Sequence, residues 1–560
     1  MKGQSNRKGR EHLLNFILLL ASSILFAASF PNLVFPKGLP LLAWVAYVPV
    51  FWMIRRIGFG QAFFWGALYG YASYGLFNYW LSVFHPLAGL IVGSVYLVYL
   101  ALLFPLLHLA VVIFPRRGYI LQFLLWMAFE YLRTLGFLGY SYGISGYSQW
   151  NILPLIQIAG ITGVWGVSAL VVFPSVWLAA ALSENKPPLH IKLLFTQIKT
   201  FFKKEWLTAT LWFVLLASSL VYGLVSPVDY SDSRKVKTAL IQHNTDPWAP
   251  SKAPTPAQAL EEYWKDMRIL CRLSDAALKA HPDTDFVVWS ETAFVPRIHW
   301  HTTVRDDPYY RELVRELLYY LSAKDVPFLI GNDDARKDPV LNPSGDNRVD
   351  YNAAILFERG EIIGLYRKLH LVPFTEHFPY EKQLPWIHKA LVNTDTHFWE
   401  KGSEATVFET NGIKFSTPIC FEDTFGYLSR DFVRNGAELI VNLSNDAWSS
   451  SLPAQMQHLS MAVFRTVENR RSMVRSTASG QTCAIDPNGK ILSMAEPFAE
   501  TWLSAEVPIV SSSTLYTRFG DFLGKAFAWS AFLVLISGLI SYIIRKHACQ
   551  SKNKAGKVSK

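Results

Sequence analysis

Hydrophobic positions along this chain fall into two regimes. Through residues 1–226 they form long runs, near 13–30, 40–54, 61–83, 88–114, 119–138, 154–182 and 206–226. An apolar helix of about 20 residues crosses the roughly 30 Å hydrocarbon core of a bilayer, so each run predicts a membrane helix. From about residue 233 the runs shorten and alternate with amphipathic stretches. Strands are expected at 238–242, 286–289, 327–331, 353–357, 362–366, 413–419, 439–443 and 474–478, with a hairpin at Asp486-Pro-Asn-Gly489. In one intervening helix Asp306 or Asp307 suits the cap, Pro308 the first turn, and Leu313, Leu317, Leu318 and Leu321 one apolar face. A last run at 523–544 brings the spans to eight. The pattern therefore predicts a polytopic α-helical membrane bundle joined to a layered α/β domain. Its divisions are 1–226 (seven spans), 227–522 (α/β domain), 523–544 (eighth helix) and 545–560 (basic tail).

Composition agrees with a membrane chain. Of 560 residues, 51% are hydrophobic and 17% charged, against roughly 25% charged in soluble domains. Aromatic residues at 15% exclude disorder and coiled coil, and four cysteines are too few for a disulfide scaffold. The net charge of +10 matters through its placement. Lys2, Arg7, Lys8, Arg10, Arg55, Arg56, Arg116, Arg117, five lysines between 186 and 204 and six basic residues after 544 make 19 on one side; the opposite short loops hold only Lys37. This bias predicts cytoplasmic termini and an extracytoplasmic 227–522 domain, and it argues against a nucleic-acid partner. Ala27, Ala28 and Ser29 would suit signal-peptide cleavage, but the run's length and the seven spans that follow favour an anchored helix. Within the spans, Glu130 and Arg133 stand at i,i+3 and suggest a structural ion pair, while Gly160, Gly163 and Gly166 suggest close helix packing.

Three residues close strands where chemistry is done. Glu291 follows the buried strand 286–289, at the edge where open α/β sheets bind ligands. Lys368 follows 362–366, with Glu376 further on. Cys420 stands at a strand-to-helix junction before Glu422 and Asp423, where backbone N–H groups stabilise a thiolate or an oxyanion. Singly, each has a plainer reading: a small buried thiol, a capping carboxylate, a surface lysine.

Together, Trp289-Ser-Glu291, Tyr366-Arg-Lys368-Leu-His-Leu-Val-Pro-Phe374 and Ile419-Cys420-Phe-Glu422 resemble the Glu–Lys–Cys motifs of the nitrilase (carbon–nitrogen hydrolase) superfamily. The flanking membrane runs narrow the resemblance to the apolipoprotein N-acyltransferase family. Ile241-Gln-His-Asn244, Tyr351-Asn-Ala-Ala354, Asn442-Leu-Ser-Asn-Asp-Ala-Trp448, Pro453-Ala-Gln-Met-Gln-His458 and Tyr516-Thr-Arg-Phe-Gly-Asp521 fit it in order. Ser290 departs from the pattern where Pro is usual, His243 and Thr375 where Gly is, and Phe421 where Tyr is commoner.

The resemblance implies an α-β-β-α sandwich in a bacterial inner-membrane protein, with the catalytic domain on the periplasmic side. It implies transfer of a fatty acyl chain from a phospholipid, through a Cys420 thioester, to the N-terminal amine of a diacylglyceryl-prolipoprotein whose signal peptide has been removed. Glu291 would be the base and Lys368 the oxyanion partner, with Glu376, Glu422 and Trp448 supporting. No metal or other cofactor is expected, and the chain is expected to act as a monomer. Pro373–Trp399 carries six aromatic residues and could lie against the bilayer or pack within the domain. Two other readings share some of these features: a membrane-anchored amidase that uses water, and a transporter with an ectodomain.

Overall fold

The computed structural model describes residues 2–84, 88–183, 191–246, 253–304, 308–337, 348–392, 398–447 and 450–558. The chain forms two compact units, one of residues 1–225 with 521–560 and one of 226–520.

Every regular element described in the first unit is a helix. Among the described residues, five of its helices are long and apolar enough to cross a membrane: Lys8–Ser29, Ala88–Ile113, Val164–Ala181, Trp206–Val225 and Phe522–Ala548. Other expected spans are shorter or broken. The 40–54 run is a 3-10 turn, Pro40–Trp44, and a short helix, Val48–Ile54. The 61–83 run divides into Phe59–Phe77 and Leu81–Phe84. The 154–182 run breaks at Gly163, whose φ of +65° caps one helix and opens the next. Gly163 therefore serves a bend, correcting the reading of all three glycines as helix-packing residues. Close packing is the work of Gly66 and Gly70, where a Cβ would lie 2.3 Å from the Leu100 carbonyl and 2.2 Å from that of Tyr96. Glu130 and Arg133 also differ from expectation. Glu130 accepts the Ser145 N–H and hydroxyl, and Arg133 donates to the carbonyls of Tyr140 and Tyr142 and to the Tyr96 hydroxyl. Instead of pairing with each other, they hold the segment that follows their helix, giving its buried backbone groups partners.

Among its described residues the second unit contains twelve strands: β1 (Lys235–Gln242), β2 (Phe286–Trp289), β3 (Phe328–Lys337), β4 (Arg348–Glu358), β5 (Glu361–Arg367), β6 (Val407–Thr410), β7 (Ile413–Ser416), β8 (Leu439–Ser444), β9 (Ser472–Thr477), β10 (Cys483–Ile485), β11 (Ile491–Met494) and β12 (Thr501–Pro508). They form two six-stranded sheets, ordered β12-β1-β2-β3-β4-β5 and β11-β10-β9-β8-β7-β6. Each sheet has three parallel strands at its centre, β1–β3 and β7–β9, flanked by antiparallel ones. The sheets face each other: Phe286 stacks on Phe415, and the Ser476 hydroxyl bonds the carbonyls of Ile241 and Val288. Against the first sheet, helices Pro256–Ala280 and Pro308–Ser322 bury Leu270, Leu273, Leu313, Leu317 and Leu321 over Val287, Trp289 and Ile330. Residues 306 and 307, expected to cap the second of these helices, lie outside the described residues. β6 and β12 were not expected, and the expected strand 413–419 ends at Ser416. Beyond it the chain stays extended to Ile419, which bridges to Leu443, and then turns.

Candidate active site

The parallel order of the strands gathers the polar residues at one edge. Because β4 runs antiparallel to β3 and β5 antiparallel to β4, β5 ends at the same edge as β2 and β3. Lys368, just past β5, therefore meets Glu291, just past β2: Nζ lies 3.3 Å from Glu291 Oε1. The second sheet contributes through Asn445, one residue past β8, whose N–H donates to Glu291 Oε2 at 2.8 Å. Asn352 Nδ2 donates to Glu291 Oε1, also at 2.8 Å. With both oxygens held, the carboxylate has a fixed direction. The chain turns at once afterwards, through Thr292 at φ +46°. Gly331 on β3 lets this turn pass, since a Cβ there would sit 2.2 Å from the Ser290 carbonyl.

Lys368 is fully buried, and its Nζ also contacts Glu376 Oε1 at 2.8 Å. Burial alone lowers an ammonium pKa, but Glu376, Glu291 and Cys420 together raise it above the ordinary lysine value. Lys368 is therefore a fixed cation. Burial raises the Glu376 carboxyl while Lys368 pulls it down. Its second oxygen accepts the Val372 N–H, and its carbonyl accepts the Trp399 N–H, so it pins both ends of the aromatic segment. Within that segment Phe378 and Trp399 are buried, whereas Tyr380 and Trp386 are exposed, Trp386 at 70%.

Cys420 opens the 3-10 turn Cys420–Thr424 with φ +50°. Such a conformation costs a β-carbon residue about 1–3 kcal/mol and persists only where neighbours enforce it. Glu422 is one enforcer. It accepts the N–H groups of Ile419, Leu369 and His370 at 2.7, 2.7 and 2.9 Å and the Tyr366 hydroxyl at 2.8 Å, tying the Lys368 loop to the Cys420 turn. Burial pushes the Glu422 pKa up to about 7 against those donors. The Cys420 thiol is raised well above its ordinary pKa, first by burial and then by Glu291, with Lys368 and a hydrogen bond from Ser444 acting the other way. At rest it is a thiol, and a base must take its proton before the sulfur becomes a thiolate.

Five of the six expected site residues thus lie in one connected site: Glu291, Lys368, Cys420, Glu376 and Glu422. Trp448 lies outside the described residues. Asn352, Asn445, Asn442, Ser444 and His458 had no assigned role, although each falls within a matched motif. His243 and Ser290, two departures from the pattern, are hydrogen-bonded to each other, Nε2 to Oγ at 2.9 Å. Cys271, Cys420 and Cys483 are free thiols. Among the described residues no three His, Cys, Asp or Glu side chains converge to hold a metal ion.

Comparison with known proteins places both units. Residues 237–515 match the carbon–nitrogen hydrolase family, and residues 22–177 match the apolipoprotein N-acyltransferase N-terminal domain. Apolipoprotein N-acyltransferase 1 of Treponema denticola is 43% identical over 557 residues, covering 97% of this chain and 98% of its own. Its namesake in Treponema pallidum is 44% identical over 550 residues, 96% of this chain and 97% of its own. Apolipoprotein N-acyltransferase of Geobacter metallireducens is 32% identical over 535 residues, 92% of this chain and 93% of its own. With a nitrilase-like α/β unit, a set of apolar helices and full-length similarity of this degree, the chain belongs to the apolipoprotein N-acyltransferase family.

Proposed function

We propose that this protein transfers a fatty acyl chain from a phospholipid to the N-terminal amine of a diacylglyceryl-cysteine lipoprotein, by way of a thioester on Cys420. The observation that carries this reading is the convergence of Glu291 and Lys368, 3.3 Å apart, with the strained Cys420 turn at one sheet edge. Glu291 removes the thiol proton as sulfur attacks the ester carbonyl. Lys368 and the backbone N–H of Phe421 receive the charge that develops on the carbonyl oxygen. The C–O bond then breaks, and the lysophospholipid alkoxide leaves with the proton from Glu291. In the second half the amine attacks the thioester, Glu291 accepts its proton, and the amide leaves as sulfur regains a proton. Two easier transfers replace one difficult one. Glu376 keeps Lys368 charged and in place, Glu422 holds the two loops together, and we assign Trp448 a supporting role from its motif alone.

On this reading the chain acts as a monomer in the bacterial inner membrane. The 19-to-1 split of basic residues supports eight spans, cytoplasmic termini and a periplasmic catalytic domain. We divide the chain at 226, 522 and 544. Long acyl chains on donor and acceptor give the membrane helices a purpose that a water-using amidase lacks.

The test is incubation with phospholipid and no acceptor. A hydroxylamine-sensitive acyl group should accumulate on Cys420 and move to an added diacylglyceryl-cysteinyl peptide. Cys420→Ala and Glu291→Gln should form no acyl-enzyme. Acyl groups on Cys271 or Cys483, or transfer by Cys420→Ala, would refute the assignment.

A further inference from the structure

Helix Leu452–Asn469 is buried along nearly its whole length, and its His458 meets the main chain of the nucleophile turn. His458 Nε2 lies 3.2 Å from the Cys420 carbonyl oxygen and 2.7 Å from Asp423 Oδ1. Both neighbours are acceptors, so Nε2 carries the proton. Nδ1 lies 3.5 Å from Asp446 Oδ1 and 3.5 Å from Arg475 Nη2, and Arg475 also bonds Asp423. Two cations and two carboxylates thus balance in a buried cluster. Burial alone would lower the imidazole pKa, but Asp423 and Asp446 raise it to about 9 against Arg475. Asn442 Nδ2 reaches the same Cys420 carbonyl at 3.4 Å and that of Pro418 at 3.0 Å.

None of these groups has a chemical step in the acyl transfer, yet they grip the one backbone plane that matters to it. A peptide unit is rigid and trans, so the Cys420 carbonyl and the Phe421 N–H lie in one plane and point in opposite directions. Holding the carbonyl from one side fixes where the N–H points on the other. Cys420 cannot keep this orientation by preference, because its φ of +50° is unfavourable to a β-carbon residue. We propose that His458, oriented by Asp423 and Asp446, is a positioning residue that holds the Cys420 carbonyl and so aims the Phe421 N–H at the oxyanion. The proposal rests on the acyl-transfer reading above.

The experiment measures single-turnover acylation of Cys420 in mixed micelles of phosphatidylethanolamine and phosphatidylglycerol, for wild type and for His458→Ala, His458→Gln and His458→Asn. Thermal stability and membrane yield are recorded for each. His458→Ala should slow acylation about 10²-fold, the effect of losing one oxyanion donor. Its apparent phospholipid KM should stay within about twofold, because the oxyanion exists only in the transition state. A Gln amide nitrogen can reach the place of ring Nε2 whereas an Asn amide falls short at Nδ1, so His458→Gln should recover most of the rate and His458→Asn should not. Added imidazole should partly restore His458→Ala. The proposal fails if His458→Ala acylates within about threefold of wild type, far inside the loss expected for one donor. It also fails if Gln and Asn behave alike. Loss of all three variants from the membrane overturns it too, since His458 would then serve folding alone. A wild type that takes up no acyl group overturns the acyl-transfer reading and this proposal with it. Normal wild-type acylation with an unimpaired His458→Ala overturns this proposal alone.

Discussion

Gly331→Ala puts one methyl group under Glu291, the proposed general base, without touching any proposed reacting atom. The ideal Cβ at this position lies 2.2 Å from the Ser290 carbonyl oxygen, 2.6 Å from the Thr292 nitrogen and 2.7 Å from the Glu291 Cα. Nonbonded contact begins near 3.5 Å, so the Ser290–Thr292 backbone must retreat by about 1 Å. All three obstacles are main chain, so no side chain can swing away to relieve them. β3 cannot easily give way, because Leu329, Ile330, Gly331 and Asn332 pair in register with β4 on one side and β2 holds Leu329 on the other. The displacement therefore falls on Glu291, which loses its alignment with Asn445, Asn352 and Lys368. A catalytic group misplaced by about 1 Å costs on the order of 10²-fold in rate. The assay is single-turnover formation of the Cys420 acyl-enzyme from phospholipid, compared with Gly75→Ala, where nothing lies within 4 Å of the added carbon. Gly75→Ala should match the wild type. If Gly331→Ala acylated within about threefold of the wild type, the claim that catalysis needs Glu291 held to within an ångström would be wrong.

Two further outcomes are expected. The rate of Cys420 alkylation by a neutral reagent should climb with pH well beyond the range of an ordinary cysteine, because burial and Glu291 raise its pKa. Glu291→Gln removes an anion and should move that profile to lower pH, whereas Lys368→Met removes a cation and should move it higher; shifts of the opposite sign would contradict the electrostatics described here. Reporter fusions after residues 35, 140 and 300 should read as external and those after 57, 117 and 195 as cytoplasmic, following the 19-to-1 split of basic residues. A cytoplasmic signal at 300 would remove the catalytic unit from exported lipoproteins.

Much of this arrangement is legible in one dimension because its causes are local. Alternation and short apolar runs located the central strands β1–β3 and β7–β9, since a strand buried on both faces must be apolar along its length. The strands that went unseen, β6 and β12, are sheet edges whose mixed polar residues carry little periodicity. In the helical unit, hydrophobicity marked the apolar runs but not the break at Gly163, because an apolar run has the same composition whether or not its backbone bends. Glu291, Lys368 and Cys420 stood out because each follows a recognisable strand. Their meeting was decided elsewhere, by the antiparallel steps from β3 to β5 and by the face-to-face packing of the two sheets. The groups that aim them, Asn352, Asn445 and His458, come from a strand, a loop and a helix far apart in the chain. Polar residues of these types occur throughout any sequence, and only tertiary structure shows which of them face a catalytic side chain. The size of the Cys420 shift was hidden for the same reason: its pKa is set by burial and by Glu291, Lys368 and Asp446, 129, 52 and 26 residues away in sequence and brought near only when the chain folds.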